Sequence, residues 1–405
     1  MIKKIKVDQL KPGVFVHDFN CGWLHHPFLT DRTKLKTDKQ IQKVLKYGIR
    51  ELYIDTDKGL DIDDAPTQRE ADQEIQDEFD QLSVPAAGPS DSRAFKKELF
   101  RAKQLISEAK LTTQKLMHNV RLGQRMEMHQ VESIVDQMVS SVLRNKDALV
   151  SLLRIKEVDE YTYVHSISVS ALCISFAQGL AFEAAQIKQI GIGGLLHDIG
   201  KMKVPPEILN KPGPLTEKEF EIMKRHVKDG ETTLEQYPNL DQDCTCVTSH
   251  HHERLDGTGY PEGLKGEQIS LFGQIAAIVD IYDALSSERC YKNALPPTAA
   301  LKKLYEWSPS YLNRELVEKF IAHIGIYPIG TLVRLENSLL AIVVGHGEKN
   351  LLHPVVRAVY DVKKALRLVP FDIVLKGQIN AGNPYGIVSC ESPEKWQIKP
   401  IDYLR

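Results

Sequence analysis

Hydrophobic positions along the chain change period several times, and each change marks a new element. The opening stretch IKKIKVDQLKPGVFVHDF alternates apolar and polar residues as strands do, with Pro12-Gly13 placed as a turn. TDKQIQKVLKYGIRELYID then reads as a helix followed by a strand. Ile41, Val44 and Leu45 share one helical face and Gly48 ends the helix. These segments predict a small α/β unit over residues 1–60. Residues 58–93 are acidic and end in Pro, Ala, Gly and Ser, a composition with little to bury, so they read as a linker with an exposed helix around Glu70–Leu82.

Residues 93–153 have no proline and a helical period, with Leu99, Ala102, Leu105 and Ile106 forming a narrow stripe. The pattern predicts one long helix or a helical hairpin. Such a stalk either transmits a signal and dimerises the chain or packs against the next domain. Residues 154–325 alternate apolar helical stretches with short Pro/Gly loops and form the chemical domain. From 328 to 405 the pattern shortens to strands, TLVRLE, LLAIVVGH and VVRAVYD, which predict a β-rich tail. The fold class is therefore mainly α, an all-helical domain between a small α/β unit and a β-rich segment.

Composition changes this picture little. The chain has 405 residues, 42% of them hydrophobic and 26% charged, with a net charge of −2. That balance gives no global attraction to a nucleic-acid polymer or a membrane, so a phosphate-bearing ligand must meet a local basic cluster. Cys21, Cys173, Cys244, Cys246, Cys290 and Cys390 are scattered, without zinc-ribbon or CxxC spacing. They read as free thiols of a cytoplasmic protein. No window approaches the ~18 apolar residues of a membrane span.

The chemistry begins at GLLHDIGK, where His197 adjoins Asp198 and Lys201 follows three residues on. A nitrogen and an oxygen ligand side by side can serve one metal, although a buried His-Asp pair is often no more than a hydrogen bond. Gly191, Gly193 and Gly194 precede the pair, each costing a helix about 1 kcal/mol relative to alanine. Their presence suggests close approach by a neighbouring helix, one that would bring His165 to His197 and Asp198. Thr216 and Glu219 form a capping box for the next helix, which would carry His226 ten residues in. His250, His251 and His252 are consecutive, so they cannot all point one way. Asp280 and Asp283, three apart on an apolar helix, share a face, and a carboxylate there is costly unless paired or metal-bound. Arg289 and Lys292 supply the basic cluster a phosphate would need. A His/Asp set of this size suits two borderline metals such as Fe, Mn, Zn or Ni, with Asp198 as the natural bridge. Two such ions can hold a hydroxide and stabilise in-line displacement at phosphorus, with Lys201 neutralising charge.

HSISV (165–169), GLLHDIGKMKVP (194–205), ILNKPGPLT (208–216), MKRH (223–226), HHERLDGTGYP (251–261) and AIVDIYDALSSERCYK (277–292) together resemble the HD-GYP phosphodiesterases of bacterial cyclic-dinucleotide signalling. The flanking segments look like the N-terminal domain of unknown function and the tail that accompany such domains. The resemblance implies that His165, His197, Asp198, His226, His251, His252 and Asp280 are metal ligands. It implies that Asp198 and Lys201 act in catalysis and that Tyr260, Arg289 and Lys292 contact substrate. Asp283 would support the site, and His250 would lie at the surface. Members with a third metal carry a Glu four residues before the first His. Here Tyr161 stands there, with Glu157 and Glu160 out of phase, so two divalent transition metals are expected, Fe or Mn before Ni or Zn. Pro206 replaces an Asp, Cys290 a Pro, and Leu312-Asn313-Arg314 a Phe-Asp-Pro. The implied activity is hydrolysis of cyclic di-GMP to pGpG and onward to GMP. The alternatives are 3′,3′-cyclic GMP-AMP as substrate, or a non-hydrolysing sensor that signals to a partner through the GYP loop and a homodimeric stalk.

Overall fold

The alternating opening stretch does form a sheet. In this computed structural model, which describes residues 1–21, 32–80, 92–155, 161–287, 294–347, 353–375 and 385–404, β1 (Ile2–Lys6), β2 (Phe15–Asp18), β3 (Thr33–Lys34) and β4 (Glu51–Asp55) lie in the order β1-β4-β2-β3, all antiparallel. Helix α1 (Asp38–Lys46), capped by Thr37, lays Ile41 and Val44 on the sheet's apolar face beside Ile5, Val16, Leu52 and Ile54. The expected α/β unit is thus present, with its own core.

The acidic stretch is more structured than its composition suggests. It holds α2 (Gln68–Asp80), with Ala71 and Phe79 buried and Phe79 edge-on to Tyr305 at 5.8 Å. Two apolar side chains on one face suffice to seat an otherwise charged helix.

The stalk is three helices: α3 (Ser92–Arg121), α4 (Met128–Arg144) and α5 (Lys146–Arg154). Asn145 separates α4 from α5 and caps α5 through hydrogen bonds from the Asp147 and Ala148 amides. Ala102, Leu105, Ala109 and Met117 of α3 join Val131, Ile134 and Met138 of α4 in the same core as the chemical domain. The buried Glu98 carboxylate ties the hairpin, accepting from Arg144 at 2.7 and 2.8 Å and from the Ser141 hydroxyl at 2.8 Å. Packing on the next domain therefore accounts for the buried stripe.

That domain is built from α6 (Tyr161–Gly179), α7 (Ala184–Leu196), α8 (Pro206–Leu209), α9 (Glu217–Lys224), α10 (His226–Leu234), α11 (Gln242–His250), α12 (Leu271–Ser286), α13 (Pro297–Trp307) and α14 (Arg314–Ile324). Helices α6 and α12 are apolar nearly all round and form its centre. The glycines of α7 mark close contacts: a Cβ on Gly194 would meet the Ser170 backbone at 2.9 Å, and one on Gly193 the Cys244 carbonyl at 2.7 Å. Asn313, in the segment that departs from the family pattern, still caps α14 and also donates to Gln274 at 2.9 Å.

The tail forms β5 (Leu332–Leu335), β6 (Leu339–Gly345), β7 (Val355–Asp361), β8 (Leu366–Val374) and β9 (Ile387–Cys390), in the order β8-β7-β6-β5-β9, followed by α15 (Ile401–Leu404). Leu332, Leu340 and Ile342 pack on Phe95 and Leu99 of α3 and Ala148 of α5. Among the described residues no helix is long and apolar enough to cross a membrane.

The N-terminal unit docks on α13 through Glu306. This carboxylate, its side chain 5% exposed, accepts from Asn20 at 2.8 Å and Tyr53 at 3.0 Å and pairs with Lys4 at 3.0 Å.

The tightest joint lies at Gly200, where a Cβ would meet the His226 carbonyl oxygen at 1.9 Å and the Gly230 nitrogen at 2.4 Å. Both are backbone atoms and cannot swing away. Gly200→Ala is expected to destabilise the fold by about 1–3 kcal/mol, the range for overpacking, read as a lower denaturation midpoint. An unchanged midpoint would show that the joint yields.

Candidate metal centre

The predicted ligands come from five places in the helical domain. His165 lies in the first turns of α6. His197 and Asp198 follow the last turn of α7, and Lys201 lies in the 3-10 turn Ile199–Lys203. His226 does not sit deep in a helix as the sequence suggests. The chain breaks at Arg225, which ends α9, and His226 opens α10. His251 and His252 follow α11, and Asp280 lies in the middle of α12.

Three of the histidines are anchored in the same way. Nδ1 of His197 donates to the Gly194 carbonyl at 2.8 Å, Nδ1 of His226 to Met223 at 2.7 Å and Nδ1 of His251 to Thr248 at 2.8 Å. Each carbonyl belongs to the last turn of the helix that precedes the histidine, where carbonyls lack an intrahelical partner. A carbonyl can only accept, so Nδ1 carries the proton and Nε2 presents a lone pair. The C-terminal ends of α7, α9 and α11 also carry partial negative charge, which favours a cation among them. His165 is held differently, with Nδ1 2.8 Å from Asp283 Oδ2. That is the supporting role expected of Asp283.

The ligand atoms fall into two groups, each with its atoms within 4.8 Å of one another: His165, His197 and Asp280, and Asp198, His226, His251 and His252. Asp198 faces both. Its Oδ2 is 3.2 Å from His197 Nε2 and 3.7 Å from His165 Nε2, and its Oδ1 is 3.4 Å from His226 Nε2 and 3.9 Å from His251 Nε2. Asp280 Oδ1 lies 3.0 Å from His165 Nε2. Lys201 Nζ donates to Asp198 Oδ2 at 2.6 Å.

Burial would raise Asp198, but His197, Lys201 and His226 around it hold the carboxyl well below its usual range. Burial would raise Asp280 as well, but its bond to His165 holds it well below the usual carboxylate range. Burial pushes His226 down to about 4 and His251 down to about 3. Burial also lowers His165, but Asp280 and Asp283 on either side outweigh it and the imidazole ends up raised. Buried and without a hydrogen-bond partner are His197 Nε2 and Asp198 Oδ1. Orphaned acceptors in a dry site are expensive, and divalent cations held by these nitrogens and oxygens would satisfy them. The donor set fits two transition metals.

Tyr260 reaches the same place. Its ring stacks on His252 at 4.7 Å, its hydroxyl is buried, and burial next to Asp198 and Asp280 keeps that hydroxyl protonated far above neutral pH. Arg289, Cys290, Lys292, Glu157 and Glu160 lie outside the described residues, as does the Tyr161 side chain. His250 is half-buried rather than at the surface, its Nδ1 accepting from the Ser270 amide at 3.2 Å.

Glu253 is a residue the sequence reading missed. It is buried and accepts from the Glu262, Gly263 and Leu264 amides at 2.7, 3.2 and 2.9 Å, closing the loop that carries Tyr260. Its signal was an acidic residue just ahead of a glycine-rich turn whose amides need acceptors. Gly259 lets that loop fold back, since a Cβ there would meet the Arg254 nitrogen at 2.4 Å.

Comparison with known proteins divides the chain in two. A family model described as a domain of unknown function (DUF3391) matches residues 2–131, and one described as an HD domain matches residues 134–316. The chain is 38% identical to the cyclic di-GMP phosphodiesterase PA4108 of Pseudomonas aeruginosa over all of its own length and 95% of that protein. It is 41% identical to the 3'3'-cGAMP-specific phosphodiesterase 1 of Vibrio cholerae over 34% of this chain and 31% of that one. The solved structure of Bd1817, a HDG"Y"P protein from Bdellovibrio bacteriovorus, aligns over 79% of this chain and 98% of its own, with a TM-score of 0.46 and 18% identity.

With His226 at about 4 and His251 at about 3, neither must lose a proton to admit a cation at neutral pH. Mn(II) affinity of the Asp198, His226, His251 and His252 group in the metal-stripped protein is therefore expected to change little between about pH 7 and 6, where two ordinary imidazoles would lose roughly tenfold, whereas the group holding His165, whose imidazole is raised, should weaken. Competition titration with a chelator at each pH checks this, and a tenfold drop in the first group would contradict it.

Proposed function

The chain belongs to the HD-GYP family, its HD-GYP-like domain preceded by a DUF3391 domain, and from that membership we propose that it is a metal-dependent phosphodiesterase opening cyclic di-GMP. The observation that carries this reading is the Asp198 carboxylate, with one oxygen toward each of two ligand groups. Such a shared carboxylate supports a dinuclear centre. We assign iron or manganese to it, with nickel or zinc as alternatives, because the set is rich in imidazole with two carboxylates. Bound there, two such ions would supply an activated water and charge stabilisation for displacement at phosphorus.

The chain's own groups have separable tasks. His165, His197, Asp198, His226, His251, His252 and Asp280 hold the ions. Lys201 puts a positive charge at Asp198 that phosphoryl oxygens can share. The Tyr260 hydroxyl, kept protonated, can donate to a phosphate or a base. Arg289 and Lys292 follow α12 in sequence and are assigned to the substrate phosphates on charge alone. The product is linear pGpG, and hydrolysis of its remaining diester gives two GMP. The outer face of α3 exposes Phe100 and Leu111, which supports a homodimer contact there.

A second substrate has a specific basis, because the Vibrio cholerae relative matching the HD segment is named for 3'3'-cGAMP. Competing the two nucleotides for the purified protein, with chromatography of the products, decides between them.

Three variants test the centre. Asp198→Ala and His251→Ala are expected to lower bound metal and abolish hydrolysis. Lys201→Met should keep the metal and lower kcat by about 10²-fold, the scale of one lost electrostatic contact in a transition state. Hydrolysis that survives Asp198→Ala, or exhaustive chelation, would rule the reading out.

A further inference from the structure

The N-terminal unit does more than dock on α13. Its turn after α1 rests on the loop DGTGYP, at the mouth of the metal centre. Gly48 has φ +73°, and a Cβ on it would meet the Thr258 side chain at 2.3 Å. Its carbonyl accepts from the Tyr311 hydroxyl at 2.8 Å, and the Tyr311 ring lies under the Arg254 guanidinium at 4.5 Å. Arg254 is two residues beyond His252. Tyr47 joins the apolar cluster of Val204, Ile208, Phe220 and Met223 that also takes Tyr260.

Arg50 is the charged member of the turn. Its Nη2 lies 3.6 Å from Asp256 Oδ2, a buried oxygen with no hydrogen-bond partner. The other oxygen, Oδ1, accepts from the Thr258 amide at 3.0 Å and hydroxyl at 2.7 Å. Asp256 is therefore the clasp of the loop, and Arg50 is the cation that steadies it from another domain. Thr258 is two residues from Tyr260.

We propose that Arg50, with the Tyr47–Gly48 turn beneath the loop, is a positioning residue for the substrate loop, so that the N-terminal domain sets how firmly Tyr260 meets substrate. The proposal rests on the reading of the site as a cyclic-dinucleotide phosphodiesterase for its kinetic part, and on loop geometry alone for the rest. Glu306 fixes the domain on α13 some distance along the chain, so the turn is pressed onto the loop by a joint that does not involve the loop itself. A shift of the domain on that joint would move the loop and leave the metal ligands, which hang from α6, α12 and the ends of α7, α10 and α11, in place.

The test uses the full-length, Mn(II)-loaded protein. Arg50→Ala is expected to raise KM for cyclic di-GMP about two- to fivefold, the range one partly exposed ion pair commands. Arg50→Glu should raise it further, and Arg50→Lys should restore it. In each, kcat, bound metal and the denaturation midpoint should match the parent. Amide hydrogen exchange across residues 256–264 should speed up in the Ala and Glu variants only. Adding Asp256→Asn to Arg50→Ala should raise KM no further, because the pair is already broken. Unchanged KM and unchanged exchange would overturn the proposal, as would a loss of metal or midpoint in parallel with KM. A parent protein that turns over no cyclic dinucleotide would defeat the functional reading instead, and the exchange measurement would still judge the positioning.

Discussion

The structure depends on one small interaction repeated three times: an imidazole Nδ1–H donating to a carbonyl in the final turn of the helix just before it. At His197, His226 and His251 this bond settles which nitrogen is free and where it points. It also uses carbonyls that a helix end would otherwise leave to water. Aim is thus set locally, within four residues. What must be arranged globally is only that three helix ends meet, and the chain does this with glycine. Gly193, Gly194 and Gly200 let α7 and the turn after it lie directly on the backbones of neighbouring helices. A methyl group at these positions would push those backbones apart.

Much of the centre was legible in the sequence because its parts are local. The His-Asp pair, the capping box at Thr216 and Glu219, and the clustered glycines of α7 each have a short-range signature, and each has the structural counterpart expected of it. What could not be read is long-range. The break at Arg225 interrupts a segment whose composition remains helical on both sides. Phe79 is buried by Tyr305, more than two hundred residues away, and no periodicity around Phe79 announces it. Glu253 has no short-range signature that sets it apart from its charged neighbour Arg254. Its role appears only when the loop closes and three amides turn toward it.

The same limit applies to the domain divisions. Composition separates an acidic linker, a stalk and a β-rich tail, whereas the cores cross those lines. The stalk shares apolar contacts with α6 and α7, and the tail shares them with α3 and α5. Glu306 draws Lys4, Tyr53 and Asn20 from the first domain onto α13. A change anywhere along α3 or in the first sheet therefore has a packed route toward the helices that hold the ligands.

Asp198 gives one carboxylate to two ligand groups, and this makes the centre indivisible. The protein itself sets the plane of that carboxylate, since Lys201 donates to Oδ2 at 2.6 Å while His226 Nε2 lies 3.4 Å from Oδ1. Loss of the Asp198 side chain would take an oxygen from both groups at once.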